Sequence, residues 1–150
     1  GEFNYSLKKY DEAEKAFLRS FSIYDKNKET DKIAYSYDYL GLLNKMKGNL
    51  KDAESYYRLS VKSKEANPGK NSIEYANSLN NLGSIYSMQN NKEAEIILKE
   101  SLAICEKILG KDNPTLVPVL SNLADYYSKN SNEAEAEKYK SRIKALKPDA

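Results

Sequence analysis

The chain has 150 residues and carries 24 Lys and Arg against 22 Asp and Glu, which gives a net charge of +2. A charge this small, with both signs interspersed, predicts neither nucleic acid nor a membrane surface as a partner. The chain has no histidine and one cysteine, Cys105, which removes the commonest acid–base group, the usual zinc ligands and any internal disulfide, so we expect no cofactor.

Seven helices are predicted, because apolar residues recur at steps of three and four along most of the sequence. The predicted ranges are 10–26, 31–47, 50–66, 72–89, 92–109, 114–129 and 132–146. Polar or glycine-containing turns separate these ranges. Asn71 is predicted to cap the fourth helix, and Asn113 the sixth, with Pro114 at its first position. No strand pattern interrupts the series, so the predicted fold class is all-α.

Two short motifs recur with nearly the same period. Leu-Gly or Leu-Ala stands at residues 40–41, 82–83 and 123–124, and an alanine inside an acidic phrase stands at residues 13, 53, 94 and 136. A fixed period in this range is typical of stacked repeat arrays. We therefore predict a solenoid of antiparallel helix pairs. The small residues Gly41, Gly83 and Ala124 are expected to face the alanines of the paired helices, which allows close crossing.

The same motifs define the expected domain organisation. Residues 1–150 form one repeat domain, with a half-repeat at 1–30 and full repeats at 31–70, 71–112 and 113–150. Because the sequence opens inside a repeat, we expect it to be a fragment of a larger protein. No apolar run reaches the roughly 20 residues needed to span a bilayer, and no signal peptide is evident, so a cytoplasmic location is the default expectation.

The pattern resembles the tetratricopeptide repeat. The matching residues are Leu40, Gly41, Gly48, Ala53 and Tyr57, then Leu82, Gly83, Tyr86, Ala94 and Leu98, then Leu123, Ala124, Tyr127 and Ala136. The period exceeds the family's usual length of about 34 residues. The longer second helices and loops look like the kinesin light chain variant of the repeat. In the last helix the aromatic residue, Tyr139, comes one position early.

This resemblance implies a right-handed superhelix whose first helices line a concave groove that binds peptides. The groove positions map onto Tyr35, Asp38, Tyr39, Leu42, Asn77, Asn80, Asn81, Ser84, Ser121, Asn122 and Asp125. In the kinesin light chain pattern, the position of Asn81 and Asn122 contacts bound peptide. Amide side chains offer a donor and an acceptor to a peptide backbone. The alternatives are that the asparagines are solvated surface and that Tyr35 packs against the preceding repeat.

Other ligand classes fit less well. The groove positions hold no Lys or Arg for the C-terminal carboxylates that another branch of the family binds, and Asp38 and Asp125 would repel a carboxylate. The basic residues between Lys138 and Lys147 suit a helix C-terminus rather than a nucleic-acid site. The sequence has no phosphate-binding glycine loop, no nucleophile elbow and no metal-ligand spacing, so we expect no enzyme.

The predicted function is therefore a scaffold that binds another protein or a peptide. Two alternatives stay open. The chain could be the peptide-sensing module of a bacterial regulator, which a flanking DNA-binding or phosphatase region would favour. It could also associate with itself, because the half-repeat leaves an apolar edge around Phe17 and Phe21 and would support a homo-oligomer.

Overall fold

The computed structural model describes residues 2–147, with side chains from residue 6 onward. Within that range there are no strands. The helices are α1 Glu2–Lys26, α2 Thr30–Met46, α3 Leu50–Ala66, α4 Ile73–Met88, α5 Glu93–Leu109, α6 Val117–Lys129 and α7 Glu133–Leu146. The chain divides into two compact units: Gly1–Asn67 contains α1 to α3, and Pro68–Ala150 contains α4 to α7. Among the helices so described, none is both long and apolar enough to cross a membrane.

Most predicted helix ends agree with the structure to within one or two residues, and the differences have local causes. Helix α1 starts well before the predicted residue 10, because the half-buried Leu7 and Tyr10 continue its apolar stripe toward the N-terminus. The prediction that Asn71 caps α4 is wrong. Ser72 is the cap, and its hydroxyl accepts a hydrogen bond of 3.2 Å from the backbone N–H of Tyr75.

The predicted cap at Asn113 is confirmed. Its side-chain oxygen accepts a hydrogen bond of 2.9 Å from the backbone N–H of Thr115. The residues that follow, Pro114–Leu116, form a single 3-10 turn, and the α-helical segment α6 begins at Val117. Proline fits at this first turn because its missing N–H would have no intrahelical acceptor there.

Four helices end in the same turn. In each turn one residue has a positive φ, and the next backbone N–H donates to a carbonyl five residues earlier, as in the Schellman motif. The positive-φ residues are Lys28, Gly48, Asn90 and Ser131. Glycine adopts this conformation without a steric penalty, and asparagine tolerates it well. Lys28 and Ser131 therefore hold strain that the turn at Gly48 lacks.

Replacing Ser131 by glycine should stabilise the α6–α7 turn. The backbone there has φ 59°, so the substitution removes a clash of Cβ with the chain. We expect a gain of about 0.5–1 kcal/mol in the free energy of unfolding, since the added flexibility of the unfolded chain offsets part of the relief. Urea denaturation followed by circular dichroism measures it. Gly48→Ala, at φ 81° with open space around it, should lose a similar amount. A stabilising Gly48→Ala would contradict the account.

At two helix crossings the backbone of the first helix lies so close to a large side chain of the second helix that only glycine fits. A Cβ built on Gly41 would lie 2.6 Å from the ring of Tyr57, and one built on Gly83 would lie 2.6 Å from Leu98. The predicted pairing of these glycines with alanines is therefore corrected. The nearest side chain to each glycine is the large residue one turn beyond the alanine. The predicted burial of Ala53, together with Ala94 and Ala136, is confirmed, since all three are completely buried.

The third hairpin shows why alanine replaces glycine in its first helix. One turn beyond Ala136 stands Lys140, which is exposed. The aromatic Tyr139 comes one position earlier and stacks on Tyr127, with ring centroids 5.8 Å apart and an interplanar angle of 6°. Because the position equivalent to Tyr57 or Leu98 holds an exposed lysine rather than a buried aromatic or aliphatic side chain, a Cβ at residue 124 is accommodated.

Carboxylates join α1 to α2 in one unit and α5 to α6 in the other. In the first, the buried amide of Asn44 donates to Glu14 at 3.0 Å, and Lys47 pairs with Glu14 at 2.8 Å and with Asp11 at 2.7 Å. The hydrogen bond from Lys47 is the main cause of the lowered pKa of Glu14. Helix α1 is thus attached to α2 by charge as well as by apolar contact.

The equivalent contact in the second unit uses a phenol in place of the amide. Tyr127 donates to Glu95 at 2.6 Å, and Lys99 pairs with the same oxygen at 2.8 Å. These two donors lower the pKa of Glu95, with Lys99 contributing most. Burial, followed by the bond to Glu95, raises the pKa of Tyr127 to about 12. The residue four positions after the leucine of Leu-Gly or Leu-Ala therefore donates to a carboxylate of the preceding helix in both units. It is an amide, Asn44, in one unit and a phenol, Tyr127, in the other.

Candidate functional site

In the second unit the predicted groove residues lie on α4 and α6, which are in contact. We call this surface the asparagine face. It consists of Asn77, Asn80, Asn81 and Ser84 on α4 and Ser121, Asn122 and Asp125 on α6. None of these residues is buried, whereas Leu82, Gly83, Leu123 and Ala124 beside them are. The helices therefore present amides outward from a rigid apolar support.

One hydrogen bond orders the asparagine face. The side-chain amide of Asn122 donates to the side-chain oxygen of Asn80 at 2.8 Å, although the two residues are 42 positions apart. This bond fixes the orientation of both amides. Each amide has two donor hydrogens and one acceptor oxygen, so the Asn80 nitrogen and the Asn122 oxygen keep hydrogen-bonding capacity for a ligand.

Two further amides, those of Asn77 and Asn81, lie on this face. Asn77 is exposed and Asn81 is half-buried, and neither side chain makes a hydrogen bond to another residue in the described range. Asp125 is exposed, and Ser121 is half-buried. The face therefore combines ordered and unsatisfied amides with one carboxylate at its edge.

In the first unit the predicted groove residues lie on α2 and include three exposed apolar side chains. Tyr35 is 54% exposed, Tyr39 53% and Leu42 43%. Met46, which is not among the predicted groove residues, continues the same stripe and is 52% exposed. Met46 could have been predicted from the sequence, because residues 35, 39, 42 and 46 follow the helical steps of four, three and four. An apolar stripe of four exposed residues on one helix is typical of a binding surface.

Each of the two tyrosine rings has one described contact with a side chain of another helix. Phe17 of α1 stacks on Tyr39 with centroids 4.8 Å apart and an interplanar angle of 16°. The ammonium group of Lys64 lies 5.3 Å from the ring centroid of Tyr35. A cleft of about 200 Å³ opens between α1 and α2 beside these rings. It is lined by Phe17, Ser20, Tyr24, Lys32, Tyr35, Ser36 and Tyr39.

Asp38 is not the free charge that its predicted groove position implied. Its carboxylate accepts a hydrogen bond of 2.6 Å from the hydroxyl of Ser60 and forms an ion pair with Lys64. The Lys64 side chain is 6% exposed, so its charge depends on Asp38 for compensation. Asp38 therefore holds α2 to α3, and its negative charge gives no argument about the charge of a ligand.

The remaining candidates for chemistry are structural. Cys105 is buried, and burial is the main cause of its raised pKa, so it is a poor nucleophile. No group of three or more Cys, Asp or Glu residues within the described range could hold a metal ion.

The helices described above form a protein of repeated antiparallel helix hairpins, and the first helix of a hairpin leaves a polar or an apolar face exposed. The chain belongs to the tetratricopeptide repeat family, whose profile matches residues 1–66 and 74–148. The predicted resemblance is thereby confirmed. Tetratricopeptide repeats are in general protein-interaction scaffolds, and that function applies to this chain.

Among solved structures, the crystal structure of BtubC (BKLC) from P. vanneervenii is similar, with a TM-score of 0.81 and 23% sequence identity. The match covers 95% of this chain but only 61% of BtubC. It confirms the predicted all-α solenoid fold of the tetratricopeptide type. No curated protein sequence matches the chain significantly.

Proposed function

We propose that the chain binds a peptide segment of another protein on the asparagine face. The observation that carries this proposal is the hydrogen bond between Asn122 and Asn80, which aligns two amides from successive first helices. Amides aligned in this way can accept from and donate to the backbone of an extended peptide, which offers one N–H and one C=O per residue.

The charge of the face supports a neutral or basic peptide rather than an acidic one. Within the face as described, Asp125 is the one charged side chain, and it is exposed. The family role also favours binding without a covalent step, so we infer that the chain is not an enzyme and presents a preformed surface. Preformed surfaces lose little conformational entropy on binding, which favours affinity.

The test is to select peptides against the chain from a random display library and to measure their affinity by calorimetry. Asn81→Ala with Asn122→Ala should weaken binding about tenfold, because two hydrogen bonds are lost at roughly 0.5–1.5 kcal/mol each. Thermal stability should change little, since both side chains are partly solvated.

The matched control replaces two exposed asparagines outside the face, Asn27→Ala with Asn71→Ala. This variant should bind as the unsubstituted chain does. Equal loss in both double variants, or no loss in either, would remove the asparagine face from the binding site.

A further inference from the structure

The hairpin of α2 and α3 contains a pocket, which we call the α2–α3 pocket, between the first turn of α2 and the last turn of α3. Its volume is about 290 Å³. It is lined by Thr30, Asp31, Ile33, Ser63, Ala66 and Asn67. Both helices are described from end to end, so the two walls of the pocket are present. Sites for whole small molecules usually have roughly 300–1,000 Å³, so this pocket suits a single side chain.

The other two hairpins carry larger residues at the equivalent repeat positions. The equivalents of Ile33 are Tyr75 and Leu116, and both are buried, whereas Ile33 is half-buried. Residue 63 is a half-buried serine where the next two hairpins have isoleucine and leucine. This end of the first hairpin therefore contains less side-chain volume than its equivalents.

The charged side chain that lines the α2–α3 pocket is the carboxylate of Asp31. The amide of Asn67 donates to Oδ1 of Asp31 at 3.2 Å, which orients the carboxylate. Asp31 has no ion-pair partner within residues 2–147, so its Oδ2 keeps its acceptor capacity. Beside it, Ile33 and Ala66 contribute apolar surface. A carboxylate next to apolar surface favours an occupant that has a cationic head on an aliphatic stem.

The end of α3 supplies a second reason to expect a cation. Helix α3 is not among the four that close with a Schellman turn, because Asn67 is extended, with φ −157° and ψ 120°. The N–H of Asn67 donates to the carbonyl oxygen of Ser63, and the Ala66 carbonyl accepts no hydrogen bond from the described residues. Unsatisfied carbonyls give a helix C-terminus a partial negative charge, which attracts cations.

The second unit shows which cation this protein places at such a helix end. Arg142 of α7 pairs with Glu106 in the last turn of α5 at 2.7 Å. It also donates to the carbonyl oxygen of Lys111, just beyond α5, at 3.5 Å. A guanidinium group has five N–H donors in a planar fork, so it bonds a carboxylate and a carbonyl together. The ammonium group of lysine is compact and more strongly hydrated.

We propose that the α2–α3 pocket binds the side chain of one arginine of a partner protein. The aliphatic stem packs on Ile33 and Ala66, and the guanidinium group donates to Oδ2 of Asp31 and to the Ala66 carbonyl. This site is separate from the asparagine face and does not depend on peptide binding there. It adds a point of recognition on a chain whose family role is protein interaction.

The probe is N-acetyl-arginine amide, titrated into the ¹⁵N-labelled chain and followed by NMR. Saturable shifts are expected at the backbone amides of Ile33, Ser63 and Asn67, with a Kd of roughly 1–10 mM, because one side chain buries little surface. N-acetyl-citrulline amide has a similar shape without the charge and should bind at least about tenfold more weakly. N-acetyl-lysine amide should bind at least about threefold more weakly, since it lacks the planar fork.

Two substitutions test the pocket itself. Asp31→Asn removes the charge at nearly constant volume and should weaken binding of the arginine probe at least about tenfold. Ser63→Leu introduces the residue that the third hairpin has at this position, and it should block the pocket to a similar extent. The matched control is Asp52→Asn, because Asp52 is exposed in the first turn of α3, at the other end of the hairpin. It should leave the affinity unchanged.

Circular dichroism checks that each variant is folded, and the exposed, isosteric Asp31→Asn keeps the test valid if Ser63→Leu is unstable. The proposal is wrong if the arginine probe causes no saturable shifts at the pocket, or if Asp31→Asn leaves its affinity unchanged. It is also wrong if the citrulline or lysine probe binds as tightly as the arginine probe. Sedimentation that shows a dimer dissociated by Asp31→Asn would make an arginine of a second copy the occupant and would equally overturn it.

Discussion

Replacing Gly83 by leucine is expected to unfold the α4–α5 hairpin. A Cβ at residue 83 would lie 2.6 Å from both Cγ and Cδ2 of Leu98, whose side chain is completely buried. Helix propensity alone would predict a gain of roughly 1 kcal/mol, because glycine is poor in helix interiors. Overpacking should exceed that gain and cost at least about 3 kcal/mol in the free energy of unfolding.

Hydrogen exchange with mass spectrometry measures the effect and locates it on α4 and α5. Asn77→Leu, an exposed substitution on the same helix, should change stability by no more than about 0.5 kcal/mol. A double-mutant cycle tests the cause. Gly83→Ala should be less harmful in a Leu98→Ala background, because its methyl group then enters the vacated space. Equal effects in both backgrounds would mean that Leu98 is not the obstacle.

Removing the carboxylate of Asp38 should destabilise the first unit nearly as strongly. Asp38→Ala leaves the ammonium group of Lys64 buried without its ion-pair partner, and it also removes one hydrogen-bond acceptor of the Ser60 hydroxyl. Breaking one side of a buried pair costs about 3–5 kcal/mol, since the remaining charge is not compensated. Urea denaturation followed by circular dichroism gives the change in the free energy of unfolding.

The size of that loss should depend on which partner is removed. Lys64→Met leaves Asp38, whose side chain is 20% exposed and still bonded to Ser60, so it should cost less than Asp38→Ala. Asp38→Ala combined with Lys64→Met should recover most of the stability, because no unpaired charge is then buried. A double variant as unstable as Asp38→Ala would show that the volume of the side chain, rather than its charge, is what matters.

The helices and their order could be predicted because the repeat period is nearly constant and the turn chemistry is strong. The contact between Asn80 and Asn122 could also have been predicted, since the two residues are one repeat period apart. The predicted partners of the glycines were wrong by one helical turn, because each glycine contacts the large residue one turn beyond the predicted alanine. Sequence spacing shows which residues are small, but not which neighbour on the other helix lies over them.

The electrostatics of Asp38 could not be predicted. Its partner Lys64 lies 26 residues away on the next helix, and lysines on helices are usually solvated. Likewise, the boundary of α1 depended on weak apolar positions near the N-terminus. The placement of the tyrosines on α2 was predicted, but their exposed fractions, 54% for Tyr35 and 53% for Tyr39, depend on packing that sequence spacing does not show.

The described side-chain hydrogen bonds join residues no more than 42 positions apart, which is about one repeat. Each helix therefore needs only its near neighbours, and the free energy of the array is close to a sum of local terms. A gene duplication or deletion of 41 or 42 codons would leave the contacts within each remaining helix hairpin in place. Over evolutionary time such an array can change its length by whole hairpins, whereas an insertion of half that length would place two like helices side by side.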